Sequence, residues 1–163
     1  MTRACRTMPS PVGRLTLVAG QHGLAAVLWD GERAERVRLG PLALDPGHPV
    51  LAETERQLEA YFAGERRRFD LPLDFTGTAF QKTVWQALLT IPYGETRSYG
   101  EIARQLGRPA ASRAVGAANG RNPISIIAPC HRVVGSTGHL TGFGGGLAAK
   151  RWLLDLERRG ATL

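Results

Sequence analysis

Early in the chain apolar and polar positions alternate with a period of two, the signature of strands with one buried face. Thr2 to Met8 and Arg14 to Ala19 read this way, separated by the turn-forming Pro9-Ser10-Pro11-Val12-Gly13. After Gly20-Gln21-His22-Gly23 the run Leu24 to Trp29 returns, which predicts a hairpin preceded by a further strand. Asp30 to Gly40 is charged and reads equally as a short helix or a loop, and Pro41 to Gly47 as a connection. From His48 to Ala63 the period becomes helical: Leu51, Leu58, Tyr61 and Phe62 share one face, Glu53, Glu55, Arg56 and Glu59 cover the other, and Gly64 stops the element. Arg68 to Phe75 alternates again, with Pro72 predicting an edge strand because it has no backbone donor. Arg66-Arg67-Arg68 fits a phosphate contact and a solvated strand entry about equally well.

Thr76-Gly77 marks a boundary, giving an expected structural domain over residues 1–76 and a second domain over 77–163. Thr78 with Gln81 and Ser98 with Glu101 are capping-box signatures, each opening a helix: the first carries Phe80, Val84, Ala87, Leu88 and Ile91 and ends at Pro92-Tyr93-Gly94, the second runs to about Leu106. A third helix covers about Ala110 to Asn119 and closes at Gly120. Two short helices around a glycine-containing turn have the form of a helix-turn-helix, although ordinary helical hairpins share it. Small residues dominate the third helix, which suits close approach to another helix on the Val115 side and to a groove on the other, with Arg113 as the single long projection. Ile124 to Ala128 is apolar and β-branched, which predicts a strand that Pro129 ends. A last helix spans Leu147 to Arg159, before Gly160.

Composition adds a direction to this outline. The chain has 163 residues, enough for one ordinary domain or two small ones, and 43% of them are hydrophobic, enough for a core. The formal charge is +7, and it is one-sided: residues 1–75 carry ten Arg against ten acids, residues 76–163 eleven Lys or Arg against four. Such a footprint suits a polyanion, while a solvated basic surface is the plainer alternative. Cys5 and Cys130 form neither a disulfide framework nor a metal motif. No run of eighteen apolar residues and no signal-peptide core occurs, so a soluble, cytoplasmic protein without membrane contact is expected.

Cys130 is the candidate for chemistry. A free thiol titrates near about 8.5, and basic neighbours raise its thiolate fraction. Here His131 and Arg132 follow it directly. Against that stands the general tendency of a lone cysteine to be a small buried hydrophobe. The string Asn122-Pro123-Ile124-Ser125-Ile126-Ile127-Ala128-Pro129-Cys130-His131-Arg132-Val133-Val134-Gly135 closely resembles the active-site signature of the O6-alkylguanine-DNA alkyltransferases, and the resemblance runs from about Thr78 to Glu157.

This resemblance implies an α+β fold: a small antiparallel-sheet, ribonuclease H-like domain, then a helical domain with a winged helix-turn-helix-like DNA-binding motif. It implies irreversible transfer of the alkyl group of O6-alkylguanine, and of O4-alkylthymine, from duplex DNA to Cys130, with the nucleotide flipped out through the minor groove and the protein consumed in one turnover. Cys130, His131, Glu157, Asn122 and Tyr99 are the implied catalytic set. Arg113, Tyr99, Ala114, Gly116 and Ser136 are the implied DNA contacts, Arg113 filling the place of the extruded nucleotide, and Tyr99, Val133, Phe143 and Gly144 the base pocket. Phe143 stands where some relatives have tyrosine, keeping a stacking wall without the hydroxyl.

Taken singly these residues have plainer readings: Tyr99 as a helix start, Asn122 as a turn former, Phe143 as core, and Glu157 as an acid near a helix C-terminus whose cost Arg158 and Arg159 offset. Gly142 to Gly146 lacks the lysine-serine sequel of a nucleotide loop, so no nucleotide cofactor is expected. Some relatives bind zinc in the first domain; Cys5, His22 and His48 are not at ligand spacing, so no metal is expected. The expected partner is double-stranded DNA containing O6-alkylguanine, and the free protein is expected to be a monomer. Two other classes share parts of the pattern. A sequence-specific transcription factor needs Asn, Gln or Arg for base edges where this helix has Ala and Gly. A cysteine hydrolase shares the Cys-His-Glu set but would turn over.

Overall fold

The alternating amino-terminal segments pair as their pattern predicts. In the computed structural model, which describes residues 2–138, 140 and 143–161, β1 (Arg3–Met8), β2 (Leu15–Ala19) and β3 (Leu24–Trp29) are antiparallel neighbours in that order. A fourth strand, β4 (Leu42–Leu44), adds to the free edge of β1 and runs parallel to it. The stretch 41–47 is thus more than a connection. Leu44 is 73% exposed, so β4 is held by backbone bonds such as Asp45 N–H to Cys5 O (2.9 Å) and leaves no hydrophobic period to read.

Helix α1 (Pro49–Phe62) lays Leu51, Leu58 and Tyr61 on the sheet. The segment 68–75 does not form the predicted edge strand. Leu24 N–H reaches Pro72 O (2.8 Å) and Asp74 N–H reaches Leu24 O (2.8 Å), leaving one isolated bridge, Leu24 to Leu73. Pro72, having no N–H, stops the ladder there. The approach is close enough that a Cβ on Gly23 would lie 2.4 Å from Pro72 O.

Helices α2 (Ala79–Leu88) and α3 (Tyr99–Gln105) start at the two predicted capping boxes, with Thr78 and Ser98 as caps. Helix α4 (Ser112–Gly120) follows the Gly107 turn. Val84, Trp85 and Leu88 of α2, Ile102 and Ala103 of α3, and Val115 and Ala118 of α4 share one core, and the Trp85 indole donates to Ala118 O (2.8 Å). Helix α5 (Leu147–Ala161) turns Leu153 and Leu156 into the other core, between α1 and the sheet, so the two halves of the chain are joined by buried apolar surface.

The apolar stretch 124–128 is a turn, contrary to the expected strand. Only Ile124 bridges to Val27, and Ile126 has φ of 74°. A β-branched residue in the left-handed region costs on the order of 1–3 kcal/mol and persists where the surroundings determine it. Here Asn122 does much of that: its Nδ2 donates to Ala128 O (2.8 Å) and its Oδ1 accepts from Ile124 N–H (3.0 Å). Burial of Ile124 and Ile126, at 0% and 1% exposure, supplies the rest. A buried tight turn has no hydrophobic period of its own, so its apolar content looks like that of a strand. Immediately after it, Cys130–Arg132 form one 3-10 turn, and β6 (Val133–Val134) pairs in parallel with β5 (Arg97–Ser98) at the start of α3.

Candidate active site and nucleic-acid face

The strained turn delivers Cys130 into the wall of the helical core, where it is 3% exposed and clusters with Val133, with Tyr99 and Phe143 packed against the same group. Burial pushes the thiol up from its ordinary value. Asn122, Arg36, Lys150 and Ser125 favour the anion, in that order, without overcoming the burial. The expectation that Arg132 activates the sulfur is therefore corrected. Its guanidinium turns away, donating from Nε to Glu157 Oε1 (2.8 Å), from Nη2 to Glu157 Oε2 (3.0 Å) and from Nη1 to Ile91 O (2.6 Å).

His131 is fully buried, with Nε2 2.7 Å from Glu157 Oε2. Burial works against the Glu157 carboxylate, but His131 and Arg132 more than offset it and hold the group well below its usual range. An ionised carboxylate makes Nε2 the protonated nitrogen, so Nδ1 carries the lone pair. That Nδ1 is buried and has no hydrogen-bond partner among the described residues. Burial also pushes the imidazole down, against the pull of Glu157. The resting pair is a neutral thiol next to a neutral base. A further donor to Glu157 comes from outside the helical part: the Tyr61 hydroxyl of α1, at 2.6 Å from Oε2.

A histidine whose folded value lies below its unfolded one, about 6.5, takes up its proton more readily in the unfolded chain, so its contribution is present above that pH and lost as pH falls through it. Glu157, lowered from about 4.3, adds a second loss at still lower pH. Urea denaturation should show stability declining from pH 7 to pH 5; a flat profile across that interval would contradict a buried neutral His131.

The other expected site residues divide into two groups. Tyr99, at the start of α3, lies against α4, its ring 3.7 Å from where a Cβ on Gly116 would be. Arg113 and Ala114 are exposed on the same helix and Ser136 is exposed in the turn after β6. Together with Phe143 and Gly144, Gly116 and Ala117 line a cavity of about 610 Å³, whose other wall is the 32–36 loop. A slightly larger groove, about 630 Å³, lies between Arg67, Phe69, Tyr93 and Arg132 and contains none of the expected base-pocket residues. The first joins the α4 face to Phe143 and Gly144, two of the expected base-pocket residues, whereas Tyr99, Val133 and Cys130 are not among its lining residues. Of the glycine-rich loop, His139, Thr141 and Gly142 lie outside the described residues.

Sequence reasoning missed Lys150 and Arg36. Lys150 is fully buried and donates to the carbonyl oxygen of Val133 (2.7 Å), one of the expected base-pocket residues, leaving that oxygen a second lone pair. A signal existed, because Lys150, Leu153, Leu154 and Glu157 share one helical face, placing two ionisable groups in an apolar stripe. Arg36 is tied to Glu32 (2.7 Å) and donates to Asn122 O (2.9 Å). A Cβ on Gly144 would lie 3.0 Å from its guanidinium. Nothing local in the undecided 30–40 stretch announces those contacts.

Comparison with known proteins yields consistent matches over both halves. Residues 4–75 match the ribonuclease-like domain of 6-O-methylguanine DNA methyltransferase, and residues 79–159 match its DNA binding domain. A methylated-DNA–protein-cysteine methyltransferase from Mycobacterium leprae is 55% identical over 154 residues, covering 94% of this chain and 92% of that protein. One from Methanosarcina acetivorans is 52% identical over 149 residues, covering 91% and 94%. A crystal structure of Mycobacterium tuberculosis OGT in complex with DNA superposes with a TM-score of 0.87 at 52% identity, covering 98% of this chain and 94% of that one.

Proposed function

Because the chain belongs to the 6-O-methylguanine DNA methyltransferase family, we propose that it repairs duplex DNA by moving the alkyl group of O6-alkylguanine onto its own Cys130. The observation that carries this is the buried hydrogen bond between Glu157 and His131, the residue that follows the cysteine in the chain, with Nδ1 left as the base. The alkyl carbon is saturated, so the step is a direct displacement: the bond from Sγ to carbon forms as the bond from carbon to O6 breaks. The thiol proton passes to His131 Nδ1, directly or through one water, and Glu157 stabilises the imidazolium. Asn122 favours the sulfur anion and fixes the turn that presents it. Tyr99 donates its hydroxyl toward the departing guanine, neutralising it, and the imidazolium proton later restores the tyrosine through solvent.

The product is a thioether, which has no carbonyl for water to attack, so the protein acts once. O4-alkylthymine presents the same alkyl-oxygen bond on a smaller base, and we include it as a substrate. The base enters by rotation out of the duplex, with Phe143 as stacking wall and Gly144 permitting close backbone approach beside Val133 O. Helix α4 meets the minor groove through Ala114 and Gly116, Arg113 occupies the vacated stack, and Ser136 flanks the site. Incubation with duplex containing O6-methylguanine should add one methyl mass to the Cys130 peptide, stoichiometrically and without turnover. Multiple turnover of an ester, or DNA binding with no adduct at Cys130, would overturn the assignment.

A further inference from the structure

The amino-terminal sheet makes a side-chain hydrogen bond to the turn that precedes the sulfur. Trp29, the last residue of β3, is 6% exposed and donates its indole N–H to Ser125 Oγ at 3.0 Å. Ser125 belongs to the strained turn and is 1% exposed. We propose that Trp29 is a positioning residue of the alkyl-transfer centre, orienting the Ser125 hydroxyl so that its proton is given to the Cys130 sulfur.

A hydroxyl has one proton and two acceptor lone pairs, and it rotates to suit its partners. With one lone pair committed to the indole, the proton is directed away from Trp29. Ser125 is one of the polar side chains that face the sulfur, with Asn122, Arg36 and Lys150. The indole is itself held. Phe143 meets it edge-on with centroids 5.2 Å apart at 69°. On another side a Cβ on Gly145 would lie 2.6 Å from the indole ring, so only glycine allows this backbone to lie against it. The strand beneath is registered to the same turn, Val27 N–H donating to Pro123 O (2.9 Å). The ring therefore has little freedom to release Ser125.

The relay presupposes Cys130 as the alkyl acceptor and adds a role for the first domain that support alone does not require. A hydrogen bond to an ionised group is worth about tenfold or more in the equilibrium it favours. Removing it should raise the thiol titration by about one pH unit. The polar and charged groups that act on the sulfur are Asn122, Arg36, Lys150 and Ser125, and the substitutions below leave all but Ser125 in place.

The test is the pH dependence of Cys130 carboxamidomethylation by iodoacetamide, followed on the Cys130 peptide of the full chain, in Trp29→Phe, Ser125→Ala and the double variant. Each single variant should move the midpoint upward by about one unit and slow reaction at neutral pH roughly tenfold, and the double should be no worse than Ser125→Ala alone. Midpoints coincident with wild type, or effects that multiply in the double, overturn the relay. If Trp29→Phe does not fold, the Trp29 indole N–H resonance decides, identified by its shift in Ser125→Ala. It should move when Cys130 is alkylated in the wild type, and an unmoved signal counts against the proposal. A wild type that forms no thioether with O6-benzylguanine would count against the alkyl-transfer function instead, while the iodoacetamide titration still judges the relay.

Discussion

Glu157→Gln is expected to lower stability by about 3–5 kcal/mol and to slow alkyl transfer by roughly 10²–10⁴-fold. The side chain keeps its shape, so no cavity opens; what changes is the match of donors to acceptors. Glu157 is 1% exposed and accepts from the Tyr61 hydroxyl, His131 Nε2 and two nitrogens of Arg132. An amide replaces one acceptor oxygen with a donor, which must then face a donor of its own kind. Arg132, 6% exposed, is left as a buried cation without its counter-ion. His131 loses the anion that fixes its tautomer and steadies its protonated form. Urea denaturation paired with O6-benzylguanine kinetics checks both effects. A variant as stable and as fast as wild type would remove Glu157 from the mechanism.

Arg113→Ala is expected to act selectively. Drawing a base out of the duplex costs a few kcal/mol, and a guanidinium plane that stacks into the gap offsets part of that. Each 1.4 kcal/mol is about tenfold in rate, so repair of O6-methylguanine in duplex should slow by roughly 10–100-fold. Reaction with free O6-benzylguanine, which needs no extrusion, should hardly change. Arg113 is exposed on α4 and touches none of the Cys130, His131 and Glu157 contacts described above, so the fold should be unaffected. Equal slowing of both reactions would refute the role.

What the chain announced and what it concealed separate along a physical line. The hairpin, α1 and the capping boxes at Thr78 and Ser98 are local: a period and a cap suffice to specify them, and they appear where expected. Cys130 and His131 were visible because the motif around them is contiguous. His131 and Glu157 are separated by 26 residues, and the resemblance placed both in one catalytic set where the plainer reading left Glu157 as an acid near a helix C-terminus. Trp29 and Tyr61 were invisible as site residues, since each reads as a core aromatic until the fold brings it across 96 residues to Ser125 or Glu157. The turn at 124–128 misled for the opposite reason. Its composition is that of a strand, and only the positive φ of Ile126 and the two bonds of Asn122 make it a corner.

The ladder of β5 with β6 ties Ser98, which caps α3, the first helix of the pair proposed to face DNA, to Val134, and Arg97 to Val133, whose carbonyl Lys150 holds. The helices that would meet the duplex and the segment that follows the proposed nucleophile thus share one backbone joint. Descendants of this sequence have little room to accommodate a new lesion by tilting those helices, because the nucleophile would be carried along with them. Changes in which lesions are accepted should therefore arise as substitutions around the rim of the pocket, with the frame that holds it inherited intact.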